Sequence, residues 1–542
     1  MIWGPHPLRW LESVVLVVAA LGWTVWHIGW PVLNPLETRW MHDGDWELTY
    51  NAWLLFIRGP WTLQPGAIPA LLYPYGIPVF YNAVVFWVGL VGKLAAPFVA
   101  AEFQLYGAWL VACFVGQALA YRWALEKAGV GGFARVAGAL LGLMDPVLAA
   151  RFGHLALMGH AVLAVQLGCA LWAARSPAES LGAARASVAW AVFTVGLDGY
   201  LAAQAIPLSV AVLLIAGRGR WRSVAPLLGA LVAGVVAMLW ATGAIPAAAV
   251  DPGAEGFGQF SADPLALFNS QGSSTLVPGF AAGPRQGEGF GYLGAGGLFA
   301  LGAALVGAIG QRRRLPHVAR RVWPVVAMAL ALFVYAWSSV VMVAGRVVLD
   351  LGALYAPLHP LTNAFRGSGR FVWPVHALTL LGALVLVARS PWPRLLRAGV
   401  LVAALALQLA EKKPPRPPTS TGPMPELSAV WNGAGAVYRH LAIVPPQVQW
   451  VCPYNPEVVG RLTRVAAREG LTINSGHVGR VPYGFASQCG APFVGPLDPD
   501  TLYVTGPEHV RDPGFAAASC GSFDGLVLCV DARRVRDGRP GF

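Results

Sequence analysis

The segment Met41-His42-Asp43-Gly44-Asp45-Trp46-Glu47 sets three carboxylates directly after the first apolar stretch of the chain. A carboxylate costs roughly 2.5–3.5 kcal/mol at the centre of a membrane helix, so acids kept beside a bundle are candidates for chemistry. Asp45 placed at the mouth of a cavity could take the proton of an attacking hydroxyl. Asp43 and Asp45 also have the spacing of a weak Mg2+ or Mn2+ site, because hard cations prefer carboxylate oxygen. The competing reading is an ordinary wet loop.

Cations and polar groups that such an acid would need stand far away in sequence. Asn363-Ala364-Phe365-Arg366-Gly367-Ser368-Gly369-Arg370-Phe371 carries two arginines flanking Ser368, the pattern of a phosphate clamp. The alternative is a pair of interfacial arginines snorkelling to headgroups. The loop Pro284-Arg285-Gln286-Gly287-Glu288-Gly289-Phe290-Gly291-Tyr292 offers Gln286, Glu288 and Tyr292 to sugar hydroxyls or a metal. Its other reading is a Gly-rich helix entry with a capping carboxylate. Arg151 and Asp198 are expected to border the same cavity and to pair with each other or with substrate. His154 and His160, six residues apart, do not share a helix face and read as packed side chains.

Positioning these groups falls to a membrane bundle. Hydrophobic residues make up 56% of the 542 residues, charged residues 12%, and the mean hydropathy is +0.56, which excludes a soluble enzyme. Apolar runs predict spans over 14–33, 78–98, 104–122, 136–150, 155–174, 186–198, 200–217, 223–244, 292–310, 322–341, 371–388 and 393–410. The formal charge of +12 does not point to nucleic acid, because the arginines sit between spans. Arg9, Arg122, Lys127, Arg135, Arg175, Arg185, Arg218, Arg220, Arg222, the run 312–321, Arg389, Arg394 and Arg397 mark cytoplasmic turns. Segments 34–77, 151–154, 198–199, 245–291, 342–370 and everything after 410 then share the opposite face. That count leaves a parity conflict, so 78–98 or 104–122 must be re-entrant or interfacial. Trp46, Tyr50 and Trp53 recur at helical spacing and read as an interfacial anchor. Absence of a small-residue cleavage site, with many spans following, argues against a signal peptide at 13–33.

Residues 1–410 thus form a transmembrane domain, 411–425 a stiff Pro-rich linker, and 426–542 a small C-terminal domain of α/β or α+β type. Val448 to Val451, Thr501 to Val504 and Leu526 to Val530 read as strands, and Pro456 to Glu469 as a helix. Cys113 and Cys169 fall inside spans, whereas Cys452, Cys489, Cys520 and Cys529 lie in the tail. Three disulfide connectivities are possible; Cys452–Cys489 with Cys520–Cys529 is favoured because the second pair closes a short loop. Zinc is the rival, without Cys-x-x-Cys spacing to support it. Disulfides place the tail in an oxidising compartment, the periplasm in a bacterium.

These residues together resemble the GT-C membrane glycosyltransferases, most closely an uncharacterised bacterial family of that type. The resemblance is carried by the first-loop Asp and aromatic residues, the stretch Glu288-Gly289-Phe290-Gly291-Tyr292-Leu293-Gly294, and Phe365-Arg366-Gly367-Ser368-Gly369-Arg370-Phe371. It extends over nearly the whole chain, including Thr472-Ile473-Asn474-Ser475-Gly476. It implies Asp45 as base and a lipid-phosphate sugar donor, and the apolar runs make the expected fold a GT-C-like polytopic α-helical bundle of about 10–12 transmembrane helices. The chain departs from that family at Asn82-Ala83 and at Asp198-Gly199-Tyr200.

The function expected is inverting transfer of a sugar from polyprenyl phosphate to a glycan, lipid or protein acceptor at a bacterial inner membrane. Arg366 and Arg370, with Ser368 and Arg151, would hold the donor phosphate. No nucleic-acid partner is expected. Two other classes fit a polytopic chain: a transporter or lipid flippase, which should show internal repeats, and a non-catalytic component of envelope glycan assembly.

Overall fold

The computed structural model describes residues 7–42, 44–100, 102–175, 177–245, 256–310, 315–411, 427–449, 451–481 and 484–536. Asp43 and most of the Pro-rich linker lie outside the described residues.

Apolar runs become helices where their length allows. The bundle comprises α1 (Pro7–Ile28), α2 (Gly44–Arg58), α3 (Phe86–Ala95), α4 (Tyr106–Lys127), α5 (Gly132–Leu143), α6 (Ala161–Arg175), α7 (Pro177–Val195), α8 (Gly199–Ala216) and α9 (Trp221–Ala241). It continues with α10 (Gly294–Ile309), α11 (Leu315–Ala336), α12 (Trp373–Ala388) and α13 (Arg394–Ala410). Seven described helical segments are long and apolar enough to cross a membrane. The protein is therefore a multi-pass membrane protein. Apolar side chains left exposed on α9, among them Val232, Val236 and Trp240, need lipid and not water as their neighbour.

Seven is fewer than the 10–12 expected: 78–98 and 292–310, for example, form only shorter apolar helices, and 78–98 departs furthest. Only Phe86–Ala95 is α-helical there, ten residues or about 15 Å of rise against roughly 30 Å of hydrocarbon. A helix that short fits the re-entrant or interfacial segment that the parity of the arginines called for. The basic turns then gather at one end: Arg9 meets Glu126, and Arg122 and Arg135 both meet Glu12 at 3.4 and 2.6 Å. Arg389 donates to the carbonyl of Ala128 at that same end.

The opposite end carries the loops. Tyr50 and Trp53 of α2 are fully buried, with Trp53 against Phe103 and Tyr106, so these two rings pack into the protein. An antiparallel hairpin, β1 (Val340–Val343) with β2 (Arg346–Asp350), stands in the loop after α11, where the sequence suggested the end of a span.

The C-terminal domain is a five-stranded sheet. Its strands β3 (His440–Val444), β4 (Thr472–Ile473), β5 (Thr501–Thr505), β6 (Ala518–Phe523) and β7 (Leu526–Asp531) run in the order β4-β3-β5-β7-β6. β3 lies parallel to β4 and β5, and β7 is antiparallel to β5 and β6. Helix α14 (Pro456–Glu469) is fixed by its ends: Asn455 accepts from the backbone of Glu457 and Val458, proline follows, and Gly470 closes it at φ 72°. Val448 makes one isolated bridge to Gly476 instead of the predicted strand. Disulfides join Cys452 to Cys489 and Cys520 to Cys529, the favoured connectivity.

This domain is built into the first loop. Tyr73 N–H donates to Ile473 O and Ile473 N–H donates to Ala70 O, at 2.9 and 2.8 Å, so residues 70–73 pair with β4 and cover the sheet edge. Behind it α14 packs on α2. Gly460 is what allows that approach, because a Cβ there would fall 1.6 Å from Glu47 Oε1.

Candidate functional site

Asp45 lies in the first turn of α2, and its side chain is 45% exposed. One residue later the indole of Trp46 donates to Phe152 O at 2.9 Å, which ties α2 to the turn holding Arg151 and His154. That turn is fixed from below by Trp109 of α4, whose indole donates to Leu155 O at 2.8 Å. His154 consequently points at Asp45, with Nδ1 3.1 Å from Oδ2.

Glu288 reaches the same place from the Gly-rich loop. Gln286 anchors the turn, accepting from Gly283 N–H at 2.6 Å, and Gly289 presses on Ala262, where a Cβ would meet Ala262 Cα at 2.4 Å. Gly369 closes in from the other side; its Cβ would lie 2.7 Å from Ser261 O and 2.8 Å from Gly289 Cα. Two glycines face to face thus let the turns at 286–289 and 368–372 touch, which brings Arg370 onto Glu288.

The outcome is one continuous chain of charge. His154 Nε2 is 3.5 Å from Glu288 Oε1, while Glu288 Oε2 sits 2.8 Å from Arg370 Nε and 3.1 Å from Arg151 Nη1. A neutral His154 ring can donate to only one of its two carboxylate neighbours. Burial pushes the Glu288 carboxyl up, but Arg370, His154 and Arg151 outweigh it and hold the group well below the usual carboxylate range. Glu288 is therefore a fixed anion, and Asp45 is the exposed acid of the pair.

Arg370 also lies over the Tyr200 ring, 4.4 Å from its centroid, and the Tyr200 hydroxyl accepts from Gly367 N–H at 3.0 Å. Asp198 caps α8 by accepting from Tyr200 and Leu201 N–H at 2.7 and 3.2 Å. Burial raises its carboxyl above the ordinary value against the pull of Arg370. It does not pair with Arg151, whose partners are Glu288 and the carbonyl of Gly287.

Arg366 is half-buried, and among the described residues no carboxylate lies within ion-pair distance of it. The C-terminal domain supplies its neighbour: Arg480 Nη2 donates to Asn363 O at 2.9 Å and Ala364 O at 3.4 Å. Burial and then the charge of Arg480 lower the Arg366 guanidinium from its ordinary value. His477, in the same tail segment, feels the charge of Asp45, yet burial dominates and pushes its imidazole down to about 4.

Several predicted site residues have other work. Glu47 is buried against Arg464 of α14, Oε1 to Nη1 3.7 Å, and belongs to the seam between bundle and tail. Gln286 supports its own turn, also donating to Ser261 Oγ and Met342 O at 3.4 Å. Ser368 is fully buried with its hydroxyl 3.5 Å from Phe260 O, so no clamp forms from Arg366, Ser368 and Arg370 together. Tyr292 donates to Glu411 at 2.9 Å. His160 packs on Trp373. His154, read from sequence as packed, stands instead in the centre of the charged chain. Asp43 lies outside the described residues, and among those described no set of three metal-type ligands occurs. Tyr200, His477 and Arg480 were missed; only the nearness of His477 and Arg480 to the segment Thr472 to Gly476 hinted at the tail pair.

Fold and site together define a multi-pass membrane protein whose disulfide-bonded domain docks on the loop end of its bundle, over one charged cluster. The family model described as "Domain of unknown function (DUF6311)" matches residues 17–413, and "DUF6311 C-terminal domain" matches residues 430–531. The chain belongs to the DUF6311 family. No curated protein matches its sequence. Among solved structures it is similar to the archaeal oligosaccharyltransferase of Archaeoglobus fulgidus, in complex with an inhibitory peptide and a dolichol-phosphate. That similarity has 13% identity and a TM-score of 0.37, over 93% of this chain and 70% of the other, too loose to transfer a reaction.

Proposed function

We propose that this protein is an inverting glycosyltransferase of GT-C type, moving a sugar from a polyprenyl-phosphate donor to a hydroxyl of a lipid-linked glycan, lipid or protein acceptor. The proposed setting is the bacterial inner membrane with the tail in the periplasm. The observation that carries this reading is the unbroken charge path from exposed Asp45 through His154 and Glu288 to Arg370, with Arg366 beyond it.

Asp45 takes the acceptor hydroxyl proton as the oxygen attacks the anomeric carbon, and the bond to the phosphate oxygen breaks on the far side. The phosphate leaves as an anion and needs a cation, not a proton; Arg366 supplies the charge, free of a competing carboxylate. His154 positions Asp45. Glu288 keeps Arg151 and Arg370 rigid beside the reacting sugar. Mg2+ or Mn2+ at Asp45 is a variant of this scheme, read by repeating the assay in EDTA.

Purified protein given a radiolabelled polyprenyl-phosphate sugar tests the proposal. Asp45→Asn should cut transfer or donor hydrolysis by about 10²–10⁴, the range of a lost general base, with unchanged thermal stability. Undiminished turnover in the variant rules Asp45 out as the base.

A further inference from the structure

Arg366 belongs to the bundle and Arg480 to the C-terminal domain, yet Arg480 lies close enough for its charge to act on Arg366. Arg480 is pinned on the carbonyls of Asn363 and Ala364, two to three residues before Arg366. Among the described residues neither arginine has Asp198, Glu288 or another carboxylate within ion-pair distance except through its neighbours: Glu288 is taken by Arg151 and Arg370, and Asp198 caps α8. Two cations brought together while nearby acids are engaged elsewhere make a site for an anion.

The tail segment that carries Arg480 also runs towards the base. His477 lies within the field of Asp45, Gly479 N–H donates to Tyr81 O at 2.9 Å, and Arg480 follows at once. From His477 to Arg480 is three residue steps, at most about 11 Å of chain. One short segment therefore bears both the histidine in the field of Asp45 and the arginine whose charge acts on Arg366.

We propose that Arg480 and Arg366 together bind the phosphate of a lipid-linked donor, so that the docked C-terminal domain forms half of the phosphate site. This rests on the glycosyl-transfer reading and adds the domain as a ligand-binding element. It accounts for attachments that hold the domain in register with the bundle, among them the pairing of residues 70–73 with β4, the packing of α14 on α2, and the bond from Gly479 to Tyr81.

The test uses the full chain in nanodiscs of zwitterionic lipid, titrated with a polyprenyl monophosphate lacking sugar. Inorganic phosphate and an anionic phospholipid serve as competitors. Arg480→Gln keeps an amide donor for Asn363 while removing the charge, and Arg366→Gln leaves the docking bonds untouched. Each should weaken polyprenyl-phosphate binding about 10- to 100-fold, as expected for a lost charge-assisted bond. The double variant should lose less than the product of the two, because both arginines meet one phosphate. Limited proteolysis reports whether the domain stays docked.

Wild-type affinity retained in Arg480→Gln with the domain docked overturns the proposal, as does absence of binding by the wild type. If Arg480→Gln undocks the domain, the single Arg366→Gln and the competition series decide: unaltered affinity in Arg366→Gln overturns the shared site. Stronger competition by the anionic phospholipid than by inorganic phosphate, with no loss in either variant, assigns the arginines to headgroups and also overturns it. Failure of the transfer reading looks different: the wild type would transfer no sugar while both arginine variants still lost the lipid phosphate.

Discussion

Replacing Glu288 by glutamine removes one negative charge and almost no volume from the centre of the site. Arg151 and Arg370, with side chains 6% and 16% exposed, would then face each other without their common anion. Removing one partner of a buried ion pair costs about 3–5 kcal/mol. Glu288 is 20% exposed and glutamine keeps a carbonyl acceptor, which places the variant near the lower end, about 3 kcal/mol. The pH dependence is fixed by sign. The folded carboxyl lies below its unfolded value of about 4.3, so its stabilisation is complete above that value and is lost as pH falls through the folded pKa. Denaturation of wild type and Glu288→Gln in detergent should therefore show a constant gap from pH 5.5 to 8 and a shrinking gap below pH 4. Glu12→Gln is the control, because Glu12 holds Arg122 and Arg135 at the other end of the bundle. It should lower stability and spare transfer, whereas Glu288→Gln should lower both. A Glu288→Gln protein as stable and active as wild type, or a gap that widens in acid, would refute the role of Glu288 as fixed anion.

Gly369→Ala should cost about 1–3 kcal/mol and also reduce transfer, since its Cβ would strike the backbone of Ser261 and Gly289 and part Arg370 from Glu288; both are read in one preparation. His477, neutral in the fold with its imidazole at about 4, makes the docked state lose stability as pH falls from about 6.5 towards 4, and His477→Asn should flatten that slope in a pH series of proteolysis. Replacing Cys452 and Cys489 by serine should destabilise the C-terminal domain by about 2–4 kcal/mol while the bundle keeps its unfolding transition, measured by domain-specific protease sites.

Much of the architecture was legible in local pattern. Apolar runs of span length can be satisfied only as helices, so the bundle followed from composition, and the arginines between runs marked the end where Arg9, Arg122, Arg135 and Arg389 gather. Helix α14 was readable because asparagine, proline and a closing glycine specify its ends locally. The second disulfide was readable because it closes a short loop. By contrast, an apolar run does not state whether it crosses: residues 78–98 have the composition of a span, but only Phe86–Ala95 winds into an α-helix.

The sequence by itself determined that Asp45, Arg151, Glu288, Arg366 and Arg370 would lie in the segments between spans, because charge is too costly inside them. Only the tertiary structure decided which of them meet. Glu288 joins Arg370 through the contact of Gly289 with Gly369, His154 joins Asp45 through the bond of Trp46 to Phe152, and Arg480 reaches the carbonyls of Asn363 and Ala364 because a sheet edge pairs with residues 70–73. Each of these junctions depends on backbone approaches between segments tens to hundreds of residues apart. Packing sets such approaches, and no local propensity encodes them.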